Sequence, residues 1–150
     1  MRATLIHWSW LCRRLAVELP EGEFVVTYNG RGFGYETVYV DDRVAERATS
    51  LLWFVPVFVF PIGRRLGTVE VQVWPWLTMR SFHLIVDGVI LYGEGQRSAA
   101  HVPPDWIEEI RQRWEATGKV SSEVTQKLAT LADAKGRIRR ADEDVTSPED

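Results

Sequence analysis

Two short apolar strands in this chain run into the same kind of turn. Val38-Tyr39-Val40-Asp41-Asp42 is answered forty-six positions later by Leu84-Ile85-Val86-Asp87-Gly88. A turn-forming pair between alternating apolar strands is a strong hairpin signal, because the tightest hairpin turns need positive φ at their central positions and Asp, Asn and Gly tolerate it best. Both segments therefore predict antiparallel pairing, and they frame the most apolar stretch of the chain, residues 51–61.

The rest of the first hundred residues follows the same period of two, the signature of half-buried strands. Leu15, Val17 and Leu19 share a face and end at Pro20-Glu21-Gly22. Phe24, Val26 and Tyr28 share the next and end at Asn29-Gly30, a tight-turn dipeptide. Glu36, Val38 and Val40 form one side of a third strand. Val69, Val71 and Val73 alternate with Glu70 and Gln72, which predicts one wet face. Phe82, Leu84 and Val86 enter the Asp87-Gly88 turn, and Val89, Leu91 and Tyr92 leave it. About seven or eight short strands with evenly spaced turns predict an all-β fold, an antiparallel β-sandwich.

After Pro103-Pro104 the period changes. Trp106, Ile107, Ile110 and Trp114 fall on one stripe of a helix, acidic residues sit in its first turn, and Gly118 is a natural stop. A second, weaker helix is expected over 122–134, with Val124, Leu128 and Leu131 as its stripe, followed by a disordered acidic tail. The chain thus divides into a β-sandwich over 1–97, a linker and packing helix over 98–118, and a weak helix with a flexible charged tail over 119–150.

The 150 residues suffice for one domain with a proper core, and 45% of them are hydrophobic. The net charge of −3 supplies no bulk basic field for phosphates, so nucleic acid is not an expected partner. The single cysteine, Cys12, forms no disulfide framework and fits a reducing compartment, hence a cytoplasmic location. Arg13 and Arg14 interrupt the N-terminal apolar run too early for a secretory signal. The apolar run at 51–62 is far short of the ~20 residues that span a bilayer.

Chemistry-bearing patterns are sparse. Gly30-Arg31-Gly32-Phe33-Gly34 lacks the Lys-Ser/Thr of a phosphate loop and reads as a turn or bulge. His7, His83 and His101 share no metal-ligand spacing, and Cys12 has no ligand neighbour, so no metal or cofactor is expected. A Cys12–His dyad would have to be spatial. Asp41, Asp42 and Asp87 read as turn residues rather than paired carboxylates.

Aromatic residues are the richer signal. Trp53, Phe54, Phe58 and Phe60 lie in a run apolar on both faces. That run is either a strand buried on both sides, with Pro56 at a bulge or edge, or an exposed strip that pairs with a second copy, a partner or a membrane surface. Trp74 and Trp76 either lie under the C-terminal helix or form a recognition patch, and Trp8 and Trp10 belong to the same aromatic set.

The order of these strands resembles one repeat of the Fas apoptotic inhibitory molecule family, over residues 13–96 or so. The residues that carry it are Leu15-Ala16-Val17-Glu18-Leu19 to Gly22, Phe24 to Gly30, Glu36-Thr37-Val38-Tyr39-Val40-Asp41, Val69 to Val73, and Leu84-Ile85-Val86-Asp87-Gly88. Asp42 stands where the family's turn has Gly, and the family carries two tandem repeats where this chain has one. The resemblance implies a non-catalytic antiparallel sandwich and transfers no catalytic residues. The expected function is accordingly a non-enzymatic interaction module that meets a protein partner or a second copy through Trp53, Phe54, Phe58, Phe60, Trp74 or Trp76. The alternative is a small apolar-ligand or lipid-binding β domain with Trp53, Phe54, Phe58 and Phe60 lining its cavity.

Overall fold

The computed structural model describes residues 1–31, 35–49, 57–73, 79–97 and 104–118. Nine strands and one helix occur among them: β1 Arg2–Ser9, β2 Cys12–Leu19, β3 Gly22–Asn29, β4 Tyr35–Val40, β5 Arg43–Thr49, β6 Val57–Ile62, β7 Arg65–Val73, β8 Met79–Val86, β9 Val89–Glu94 and α1 Pro104–Thr117. Each strand pairs antiparallel with its neighbour in the chain. The result is a five-stranded sheet in the order β1-β2-β3-β4-β5 and a four-stranded sheet in the order β6-β7-β8-β9. The edges of β1 and β9 approach each other, as do those of β5 and β6, without joining in a ladder.

Turn chemistry sets the register. Asp41 and Asp42 have φ of 52° and 63°, and Asp87 and Gly88 have 50° and 76°. The flanking pairs Val40↔Arg43 and Val86↔Val89 leave two-residue loops. Positive φ at both central positions is the mirror-image turn whose twist suits a hairpin, so Asp42 takes the same conformation that Gly88 does. The Asn29-Gly30 connection is longer than a two-residue turn, since β3 ends at Asn29 and β4 begins at Tyr35.

The inward faces follow the alternation. Leu15, Val17, Leu19, Val26, Tyr28 and Val38 from the first sheet meet Phe58, Phe60, Ile62, Val69, Val71, Phe82, Leu84 and Val86 from the second. The Tyr28 ring lies 5.9 Å from Phe58 and 5.8 Å from Phe82, both tilted. Full burial of each such side chain contributes about 1.5–3 kcal/mol before the entropy of ordering is subtracted.

Two differences from the sequence reading are instructive, and one of its alternatives is decided. β1 and β5 add to the strands read from the alternation; in β5, Glu46 and Arg47 break the apolar pattern. The expected wet face of β7 is not wet: Thr68 and Glu70 are buried, and so are Ser81, His83 and Ile85 beside them on β8. Arg97 reaches this face and bonds to Glu70, which lets a carboxylate be buried there. Of the two readings of the 51–60 run, its described part takes the first, since Val57, Phe58, Val59 and Phe60 are all buried in a strand covered on both faces.

The helix ends where expected. Gly118 has φ of 71°, and its N–H donates to the Trp114 carbonyl at 2.7 Å, closing the last turn. Ile110 is buried, and the Arg111 guanidinium bonds to Asp87 at 3.2 Å. Asp87 also takes a hydrogen bond from Arg65, so one turn carboxylate ties α1 and β7 to the β8–β9 hairpin. The second helix over 122–134 and the acidic tail lie outside the described residues.

Candidate functional site

The alternation that places Leu15, Val17 and Leu19 inward also places Arg13 inward, at the end of β2. It is 3% exposed. Its Nε donates to Glu94 Oε2 at 2.6 Å, and Nη1 donates to the carbonyls of Ser9 and Cys12 at 2.8 Å each. A buried guanidinium is tolerated only with such partners. The pair bridges the first sheet to the end of β9 at the β1–β9 seam.

Trp8 lies opposite Arg13 in the β1–β2 register, and the guanidinium sits 4.6 Å from the centroid of its ring. Cation–π stacking on a fixed cation orients the indole, which nonetheless remains 60% exposed. The register of β1 breaks between Leu5 and His7, and Ile6, the residue at that bulge, is exposed. Trp10, also exposed, occupies the β1–β2 turn beside Leu11, whose φ is 52°. The buried Leu11 accepts a hydrogen bond from the Gly30 N–H at 2.8 Å, which pins the turn.

The exposed large hydrophobic side chains among the described residues fall mainly on the two edge strands β1 and β9 and their ends. Met1, Ile6, Trp8 and Trp10 belong to β1 and its ends, and Val89 and Ile90 begin β9; among the described residues only Val44 lies elsewhere. Sparse single exposures are ordinary on a protein surface, whereas their concentration on two adjoining edge strands is not.

Polar groups close the interior behind Arg13. Tyr28 pairs with Arg13 in the register and donates its hydroxyl to Glu36 at 2.7 Å, both side chains being buried. Burial, then the Glu36 charge, pushes the Tyr28 phenol well above its ordinary value. Tyr92 is pushed up to about 12, first by burial and then by its hydrogen bond to Glu94.

Phe58 and Phe60, expected as interaction or cavity residues, are fully buried in the core and offer no surface to a partner; Phe58 packs on Tyr28. Trp53, Phe54, Trp74 and Trp76 lie outside the described residues, as do Pro56 and His101. Cys12 is a buried free thiol on β2 in the first sheet, whereas His83 lies on the outer face of the second, so these two are not placed as a dyad. No three His, Cys, Asp or Glu side chains come together in a metal-binding group among the described residues. No helix among them is long and apolar enough to cross a membrane.

Sequence reasoning set Trp8 and Trp10 beside Trp74 and Trp76 but did not reach Ile6, Val89, Ile90, Arg13 or Glu94. The available signal was Arg13 itself, a charge in the apolar register of its strand. A scan against protein-family models and a search of curated proteins found no match to this chain.

Proposed function

We propose that the chain is a non-catalytic β-sandwich binding module that works through protein–protein contacts, with Ile6, Trp8 and Trp10 at the centre of its surface. The observation that carries this reading is the exposed Trp8 ring stacked on the buried, hydrogen-bonded Arg13. Contact energy in protein interfaces concentrates in Trp, Tyr and Arg, and an anchor already held in place loses little entropy when a partner docks. The exposed apolar side chains along the edge strands β1 and β9 add to that anchor. The resemblance to a repeat of the Fas apoptotic inhibitory molecule family points to the same non-catalytic class, and the single buried thiol suits a cytoplasmic setting.

The test is site-directed photocrosslinking in cells. A photoreactive residue at position 10 is compared with one at position 44, which is exposed and apolar but off the seam. A discrete protein adduct from position 10 and none from position 44 is expected, whether the adduct is to another protein or to a second copy. No adduct at 10, or the same adducts from both positions, overturns the proposal.

A further inference from the structure

The outer face of the second sheet holds a polar cluster separate from the seam. Glu70 on β7 and His83 on β8 are direct register partners. Glu70 is 1% exposed and His83 6% exposed. The Glu70 carboxylate takes two hydrogen bonds from Arg97, from Nε at 3.0 Å and Nη2 at 3.3 Å. Arg97 lies three residues beyond the end of β9, so this ion pair fastens residues 95–97 to the sheet.

His83 is packed but not bonded. A Cβ placed on Gly93, its register partner on β9, would stand 2.8 Å from the ring Cδ2 and 3.1 Å from Nε2. The Cδ2–Nε2 edge therefore rests on the bare glycine backbone. Nδ1 lies across the ring from the edge that meets Gly93, and this buried atom has no hydrogen-bond partner. Buried polar atoms without partners are few in native proteins and call for an account. Here the chemistry supplies one. With the proton of the neutral ring on Nε2, Nδ1 is an acceptor like the neighbouring Glu70 carboxylate, and uptake of a second proton turns Nδ1 into a donor. Ser81 Oγ, two residues along the same face of β8, is buried and unpartnered as well.

We propose that Glu70, His83 and Arg97 form an acid-sensitive latch: a proton taken up on His83 Nδ1 draws the Glu70 carboxylate from Arg97 to His83 and frees residues 95–97 at the exit of β9. The charged groups that face His83 are Glu70 from β7, Arg97 beyond β9 and Glu94 at the end of β9; α1 directs Arg111 to Asp87 instead. Burial holds the imidazole below its ordinary value of 6.5, with Glu70 opposing that shift and Arg97 adding to it. The native state therefore binds the proton less readily than the unfolded chain. The stability held by the neutral ring is present above about pH 6.5 and is lost as pH falls below it.

The test is side-chain NMR of the full chain from about pH 8 to pH 5, following the His83 ring nitrogens and the Arg97 Nε–H. The expected result is one shared midpoint below the ordinary histidine value, with exchange of the Arg97 Nε–H accelerating roughly tenfold beyond its solution pH trend while amides of β2 and β3 stay protected. His83→Gln should hold Arg97 in place across the range. Should that variant not fold, the wild-type midpoints decide alone: coincidence supports the latch, and separation by more than about one pH unit overturns it. An Arg97 signal indifferent to the His83 titration, an equal response in His83→Gln, or simultaneous loss of all protected amides also overturns it.

Discussion

Arg13 and Glu94 stand eighty-one positions apart in the chain and meet at 2.6 Å where the first and last strands of the sandwich end. Removing the acid alone leaves a buried guanidinium with only carbonyl partners. Glu94→Ala should cost about 3 kcal/mol, whereas the paired change Arg13→Met with Glu94→Leu should cost about 1 kcal/mol or less, because no charge is then stranded. Urea denaturation of the two variants checks the order. Both should also alter Trp8 fluorescence, the first by loosening its cation and the second by removing it.

The Tyr28 hydroxyl sits 2.7 Å from the buried Glu36 carboxylate. Tyr28→Phe withdraws a donor from that carboxylate and should cost about 1–3 kcal/mol. The alkaline behaviour follows from the same contact. Tyr28 ionises well above its ordinary value of 10.0 in the folded state, and Tyr92 at about 12. The folded chain thus keeps protons that the unfolded chain gives up. Stability is fully present below pH 10 and declines as pH rises past it. Tyrosinate absorbance should show Tyr28 and Tyr92 silent near pH 10, where an ordinary tyrosine titrates.

The neighbouring turn residues Asp41 and Asp42 should respond in opposite directions to glycine. Asp42 has φ of 63°, and its carboxylate reaches only the exposed Arg14 at 3.2 Å. Asp42→Gly relieves the backbone and should leave stability unchanged or raise it by up to about 0.5 kcal/mol. Asp41 Oδ1 accepts a hydrogen bond from the Val25 N–H at 2.8 Å. Asp41→Gly loses that bond and should cost about 1 kcal/mol. Thermal melts of the two variants side by side make the comparison.

Two glycines with left-handed backbone should differ for a steric reason. Gly88 has φ of 76° and open space around it, so Gly88→Ala should cost about 1 kcal/mol of backbone strain. Gly95 has φ of 70°, and an added methyl would press into the Arg80 carbonyl oxygen. Gly95→Ala should cost several times as much, about 3 kcal/mol, as β9 is pushed away from β8. Denaturant midpoints of the pair distinguish strain alone from strain with a clash.

What could be read from the chain in advance divides along physical lines. Asp41-Asp42 and Asp87-Gly88 announced their turns because positive φ selects so few residues. Gly118 marked the helix end for the same reason. β5 was hidden because Glu46 and Arg47 obscure its pattern, and tertiary contacts bury Glu46 against propensity. Glu70 looked like a solvent residue, since nothing nearby in sequence names Arg97 as its partner. The seam was least legible. Arg13 sits in an apolar register, yet its acid lies in the last strand, and a tryptophan suits a core as well as a surface. Only the meeting of β1 and β9 decided which role Trp8 has.

Each sheet is made from one uninterrupted stretch of chain, the first ending at Thr49 and the second beginning at Val57. During synthesis the five-stranded half emerges complete, with every hydrogen-bonding neighbour already present. Its apolar face of Leu15, Val17, Val26, Tyr28 and Val38 nevertheless waits, uncovered, for β6 to β9 to leave the ribosome. The nascent protein thus passes through an interval in which a finished sheet shows its greasy side, the moment when chaperone binding or aggregation competes with closure.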